Sequence, residues 1–271
     1  MIIVHTKPAA ALQPYIDRYW SWQGPEKTEQ RLPLLVAGTG VELYFHFGRP
    51  FIFIGEGSPP LTASNSHLLC VRQVPRKLKP LRNIGFLCVR FRAGMFRHFC
   101  NIPMADLNDT LPDPESLWGR DGSKLAGKVL EAPTLKKKIL AVESGLINLL
   151  QACRKDEDGL DYALNKIYSQ YRTIRIADIA RELNLSRRHF QRGFSRSMGV
   201  SPKAFHRNTR FQQTLKKLML NGQRDYLPGA LDAGYYDQSH FIKDFQHFTK
   251  TTPSFFLCKD NFMSHFYNTT L

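Results

Sequence analysis

The chain has 271 residues, of which 42% are hydrophobic and 23% charged, an ordinary globular composition long enough for two domains with sizeable cores. No run approaches the roughly 18 consecutive apolar residues of a membrane span, and the opening Met1-Ile2-Ile3-Val4-His5 lacks the basic start and apolar stretch of a secretory leader. The net charge is +15, with 21 Lys/Arg against 15 Asp/Glu in residues 1–159 and 17 against 8 in residues 160–271; such an excess suggests a polyanionic partner, although a basic surface that only confers solubility carries the same sign. The five scattered cysteines (Cys70, Cys88, Cys100, Cys153, Cys258) include no C-x-x-C pair, which argues against a disulfide framework or a zinc ribbon and fits a reducing cytoplasm.

The first half reads as mainly β. Short apolar and aromatic runs, Val41–Phe47, Pro50–Gly55, Leu68–Val71 and Ile84–Phe91, are separated by Gly/Pro signals, as in a barrel or sandwich. From Leu135 the period becomes helical: Leu135, Ile139, Val142, Leu146, Leu149 and Cys153 follow at steps of 4, 3, 4, 3 and 4, a heptad seam. It suits either a helix packed on its own barrel or a homodimer interface. Gly145 inside it weakens the helix by roughly 1 kcal/mol relative to alanine. The charged stretch Arg154–Gly159 reads as a linker, and beyond it Leu160, Ala163, Leu164, Ile167, Tyr168 and Tyr171 line one face of a helix.

Two helix-turn-helix units follow. In the first, Ile176, Ile179, Ala180 and Leu183 form the apolar face of a short helix, Asn184 sits at the turn in a position that tolerates a left-handed backbone, and Leu185 plugs the turn. Ser186 is placed as N-cap of the next helix. There Phe190 and Phe194 face inward, leaving Arg187, Arg188, Gln191, Arg192 and Ser195 outward. Arginine can bond guanine bidentately and glutamine adenine, though a merely solvated basic face has the same pattern. Phe211, Leu215, Leu218 and Met219 mark a connecting helix with Arg210, Lys216 and Lys217 on its polar side. The second unit begins near Asp225: Ala230, Leu231 and Ala233 form a short helix, Gly234 supplies the turn, and Asp237 or Gln238 opens a helix with Phe241, Phe245 and Phe248 on its apolar stripe. Gln238, Ser239, His240, Lys243 and Asp244 are left for its other faces.

The runs Ile176–Arg192, Gly199-Val200-Ser201-Pro202, Ala233–Phe245 and Thr251-Thr252-Pro253 resemble the C-terminal DNA-binding domain of the AraC/XylS family of bacterial regulators, in register over about residues 160–258. The resemblance implies a seven-helix domain whose two recognition helices enter successive major-groove faces. By position it assigns base reading to Arg188, Gln191, Arg192, Gln238, Ser239 and Lys243, and phosphate contacts to Ser186, Arg187, Arg196 and His240; the latter would position the domain without specifying sequence. Gly229 departs from it, standing where the family usually has an isoleucine, with Pro228 before it; Tyr226 or Leu227 could fill the gap. Gly193, midway along the first recognition helix, is a further weak point. Pro14–Trp20, Gly40–Phe45, Val89–Gly94 and Leu117–Gly119 resemble the regulatory domain attached to some members, which implies a cupin-like β-barrel followed by helices.

The expected fold class is therefore α+β: a cupin-like barrel with following helices in a regulatory and dimerisation domain at 1–155, and an all-α domain of two helix-turn-helix units at 160–258. The expected function is sequence-specific transcription regulation, not catalysis. Double-stranded DNA is the partner, with RNA polymerase, an N-terminal small-molecule effector and a second copy through Leu135, Ile139, Val142, Leu146 and Leu149 as further candidates. No cofactor is expected. His46, His67 and His98 show no ligand spacing, so no metal is expected, and His46 reads as a strand residue with one polar contact. The basic runs Arg72–Lys79 and Arg90-Phe91-Arg92 suit an anionic effector or ordinary loop and strand, and Lys136-Lys137-Lys138, at a helix start where positive charge opposes the dipole, suits DNA or solvent. The rivals are a small-molecule-sensing enzyme with a vestigial DNA-binding domain, for which the chain shows no G-x-S-x-G, Walker-type loop or paired acids, and an architectural DNA protein without sequence preference.

Overall fold

The structure is a computed structural model that describes residues 2–55, 58–153, 159–220 and 226–257; residues 154–158 of the linker expected over 154–159, Asp225 and Cys258 lie outside them, and Gly159 begins a helix instead. Its strands are β1 (Ile2–Thr6), β2 (Ile16–Gln23), β3 (Glu42–His46), β4 (Ile52–Gly55), β5 (Ser58–Thr62), β6 (Ser66–Leu69), β7 (Lys77–Leu78) and β8 (Gly85–Phe91). They form two antiparallel sheets, one of five strands in the order β1-β2-β8-β3-β6 and one of three in the order β5-β4-β7. The expected barrel is thus a pair of facing sheets rather than one closed ladder.

Side chains alternate across the large sheet, and both faces are covered. Tyr19, Leu43, Phe45, Leu87 and Val89 point into one core, and Trp20, Trp22, Tyr44, Phe86 and Cys88 into another. The second core is closed by Phe53 and Leu78 of the small sheet and by Phe51 just before β4. The first is closed by α3 (Arg120–Glu131) and α4 (Leu135–Ala152), which follow the short helices α1 (Met104–Leu107) and α2 (Pro114–Trp118). A strand buried on both faces reads as a continuous apolar run, which is why the sequence shows runs rather than clean alternation.

The heptad seam belongs to this layer. Val142 and Leu146 are fully buried and Leu149 is buried within the sheet–helix core, and Leu135 and Ile139 pack against it. The chain's own sheet occupies the surface proposed for a second copy, so self-packing, not a free dimer seam, accounts for the repeat. Gly145 is the place where α3 comes closest, since a Cβ there would stand 2.5 Å from Leu125 Cδ1. Lys138 is withdrawn from solvent, and its Nζ donates to the carbonyls of Val129 and Leu130, 2.9 Å each. It neutralises the carboxyl end of α3, so the helix-start lysines are not all on a solvent or DNA face. Similarly, Arg72 is buried and donates to Val36 O and Cys70 O, while Arg76 donates to Asp109 O at 2.8 Å.

The remaining helices are α5 (Gly159–Ser169), α6 (Ile176–Glu182), α7 (Arg187–Met198), α8 (Pro202–Leu220), α9 (Leu227–Asp232), α10 (Gln238–Thr249) and α11 (Pro253–Phe256). Packing does not break where composition does. Val36 and Ala37, from the loop after β2, are fully buried among Phe211, Leu215, Ala230 and Phe245. Met95 shares a core with Leu164, Ile179 and Phe194. Arg97 and His98 hold the two carboxylate oxygens of Asp161 on α5, at 2.7 and 2.8 Å. Gly199, in the left-handed region at φ 69°, lets α7 end against Ala105 and Asn108. No described helix is long and apolar enough to cross a membrane.

Candidate nucleic-acid interface

Ile179 and Ala180 are buried on α6, and Asn184 takes the left-handed turn at φ 53°. Leu185, expected to plug the turn, is 36% exposed instead. It borders a shallow apolar groove with Leu160, Leu183, Phe190 and Gly193, and the turn is closed by the backbone bond from Leu185 N–H to Ala180 O at 2.9 Å. Ser186 caps α7, its Oγ accepting the His189 N–H at 3.2 Å. Phe190 and Phe194 face inward, and Phe194 meets the Phe205 ring edge-on at 5.6 Å between centroids. That fixes the rotation of α7, leaving Arg187, Arg188, Gln191, Arg192 and Arg196 exposed and Ser195 half-buried. The helix carries no acid, and none of its four guanidiniums is paired among the described residues. Gly193 has open space around its Cα, so no close approach demands it there.

In the second unit Pro228 falls in the first turn of α9, where its missing N–H costs nothing. Tyr226 packs its ring 5.4 Å from that of Phe241. Gly234 turns at φ 85°, and a Cβ there would stand 2.7 Å from Arg172 O. Asp237 caps α10, its Oδ1 accepting the His240 N–H at 2.7 Å. Phe241, Phe245 and Phe248 are buried, and Gln238, Ser239 and Lys243 are exposed. Gln238 Nε2 donates to the Tyr226 hydroxyl at 3.2 Å.

Two side chains depart from the expected faces. His240 is half-buried, with Nε2 3.2 Å from Arg210 Nη2 and its ring against Tyr235. Asp244 is buried, and its oxygens accept from Arg207 Nε at 2.7 Å and Arg210 Nη2 at 3.4 Å. This carboxylate ties α10 to α8. The sequence leaves Asp244 to the other faces of α10, but its spacing of three from Phe241 and four from Phe248 sets it beside the phenylalanine stripe. Tyr236 was not singled out by the sequence and is 89% exposed just before α10, whereas Tyr235 beside it is 3% exposed; only packing separates the two.

The N-terminal histidines gather no ligand set: among the described residues no group of three or more His, Cys, Asp or Glu is placed to hold a metal ion. His46 and His67 stack at 5.1 Å between centroids in the aromatic core between the sheets. His67 Nδ1 lies 3.2 Å from Ser64 O, but neither nitrogen of His46 has a hydrogen-bond partner among the described residues, unlike the single polar contact expected.

Residues 179–258 match the family described as helix-turn-helix domain, and residues 4–113 match a domain of unknown function (DUF6597). The chain is 32% identical over 114 residues to an uncharacterised HTH-type transcriptional regulator of Haemophilus influenzae, covering 42% of this chain and 36% of the relative, so the match spans about a third of that relative's length. Among solved structures, ToxT from Vibrio cholerae is similar at 19% identity and a TM-score of 0.49, over 88% of this chain and 97% of that one. An unsaturated fatty acid-bound ToxT from the same species is similar at 16% and 0.44, over 88% and 93%. The match to the helix-turn-helix domain takes in both units, α6–α7 and α9–α10, apart from the first residues of α6.

Proposed function

We propose that the protein is a sequence-specific DNA-binding transcription regulator, with residues 160–258 reading DNA and residues 1–155 regulating that reading. The observation that carries this is α7: a serine-capped, acid-free helix whose two buried phenylalanines turn Arg188, Gln191 and Arg192 outward together. The two arginines offer bidentate donors to guanine edges, and Gln191 offers a donor and an acceptor to adenine. Gln238, Ser239 and Lys243 are the corresponding readers on α10. Arg187, Arg196 and the Ser186 hydroxyl, whose hydrogen is not used in capping, suit phosphates. His240 suits positioning instead, being already engaged by Arg210. The 19-residue helix α8 separates the units. At about 1.5 Å per residue it is roughly 28 Å long, of the order of the ~34 Å between successive major-groove faces.

The test is selection of bound duplexes from a random pool, followed by mobility shift against random competitor. An enriched site with two parts about one helical turn apart supports the proposal. Binding with no enriched sequence and equal competition by random DNA would refute it in favour of a non-specific DNA protein.

A further inference from the structure

The two helix-turn-helix units turn alike up to a point. Asn184 and Gly234 take the left-handed backbone, at φ 53° and 85°. The next N–H, of Leu185 or Tyr235, donates to the alanine carbonyl five residues back, Ala180 O at 2.9 Å and Ala230 O at 3.2 Å. Both alanines are buried, so the two turns share one register. The helix caps then fall out of step. Ser186 follows Leu185 directly, whereas Tyr236 stands between Tyr235 and the cap Asp237. The second turn is one residue longer, and the extra residue is Tyr236.

Tyr235 anchors that turn from inside. Its ring lies 5.1 Å from those of His240 and Phe241, with the Arg210 guanidinium 4.3 Å over its face. Tyr236 goes outward, and neither its ring nor its hydroxyl has a partner among the described residues. A tyrosine offers a large contact area for only two side-chain torsions, and the start of a recognition helix is the part that reaches base edges.

Charge separates the groups this ring could meet. The cap of α7 is the neutral Ser186, followed by Arg187 and Arg188, whereas the cap of α10 is the exposed Asp237, and the first lysine or arginine after it is Lys243. A carboxylate beside Tyr236 repels a phosphate. An apolar group on a base edge carries no such penalty, and in the major groove that group is the C5-methyl of thymine.

We propose that the Tyr236 ring packs on the C5-methyl group of a pyrimidine in the part of the site met by α10, a role that rests on the DNA-binding proposal. Thymine carries that methyl in any duplex, and 5-methylcytosine carries it in a modified one. Tyr236 thus adds an apolar reader to the hydrogen-bonding Gln238, Ser239 and Lys243, and the shorter turn of the first unit has no counterpart to it.

The experiment is titrated mobility shift of the full chain on the site enriched from a random pool, with each thymine in turn replaced by uracil and each cytosine by 5-methylcytosine. One loss of a thymine methyl should weaken binding about fourfold, or one added cytosine methyl should tighten it about fourfold, the worth of a buried methyl group at ~0.8 kcal/mol. Which of the two occurs identifies the base. Tyr236→Ala should abolish that difference. Tyr236→Phe, which keeps the ring and drops the hydroxyl, should retain it. The side chain is 89% exposed, so neither change disturbs the fold. The proposal is overturned if no pyrimidine of the site shows a methyl difference, or if every such difference survives Tyr236→Ala. It is also overturned if Tyr236→Phe weakens binding as much as Tyr236→Ala, the sign of a hydroxyl bond to a phosphate. In each of these cases the enriched site stands and DNA reading with it, whereas no enriched sequence at all would overturn both.

Discussion

His46 and His67 stand side by side between the two sheets, and their burial makes the sheet layer sensitive to acid. Burial, helped by the neighbouring His67, lowers the His46 pKa to about 3. Burial lowers that of His67 to about 4, against the opposing pull of the Ser64 carbonyl. An unfolded histidine titrates near ~6.5, so below that pH the unfolded chain takes up protons that the folded one refuses. The stability tied to these rings is complete above about pH 6.5 and is lost as the pH falls toward 4 and 3. At about pH 4.5 each ring lacks roughly two units of proton binding free energy, which at ~1.4 kcal/mol per unit comes to about 5 kcal/mol for the pair. That is a large share of the ~5–15 kcal/mol of a typical domain. His46→Phe keeps an aromatic ring beside Phe51 and removes one titrating group, so about half of the loss should disappear. Urea unfolding at pH 7 and 4.5, followed by tryptophan fluorescence, reads this directly, because Trp20 and Trp22 lie in the same core. Other groups do not mimic the difference. In Asp17 and Asp161, burial is outweighed by neighbouring Arg18 and by His98 and Arg97, which hold both carboxylates below their usual range and out of this window. His206, lowered by burial, is common to both proteins. An acid loss of the same size in His46→Phe, or none in the unsubstituted chain, would refute the reasoning.

Arg188→Ala should weaken binding to the selected site by about 1–3 kcal/mol and relax preference at one base pair, while Lys136→Ala on α4 leaves it unchanged; titrated mobility shifts on matched and mismatched duplexes compare the two. Asp244→Asn leaves Arg207 and Arg210 without their buried carboxylate, and should cost about 3–5 kcal/mol in thermal unfolding. Leu146→Glu puts a charge at a fully buried site against the sheet and should destabilise or unfold the N-terminal half; a folded monomer produced from a dimer by this change in sedimentation would restore the seam as an interface. Gly145→Val should cost about 1–3 kcal/mol by overpacking, since its Cβ would press on Leu125 Cδ1 at 2.5 Å, and differential scanning calorimetry measures it.

Local chemistry was enough for the C-terminal elements. The Ser186 cap, the left-handed Asn184, the glycine at 234 and phenylalanines at helical spacing are short-range features, and each acts within a turn of its own position. They set the rotation of α7 and α10, and hence which arginines and glutamines are exposed. Strands β3, β4, β6 and β8 were likewise legible as apolar runs bounded by turn residues, whereas β1 and β2 were not read as strands.

What only the tertiary structure decided concerns partners far apart in sequence. The heptad seam has the same period whether it meets a second copy or its own sheet, and only the position of β2, β3 and β8 shows that it is covered. Asp244 lies beside the phenylalanine stripe and His240 further round α10, and spacing alone does not say that both meet arginines of α8. Val36 and Ala37 lie in an unremarkable loop, yet they close the core of the second unit. Burial depends on which surfaces the folded chain brings together, and a periodicity records that a face is apolar without recording what lies against it.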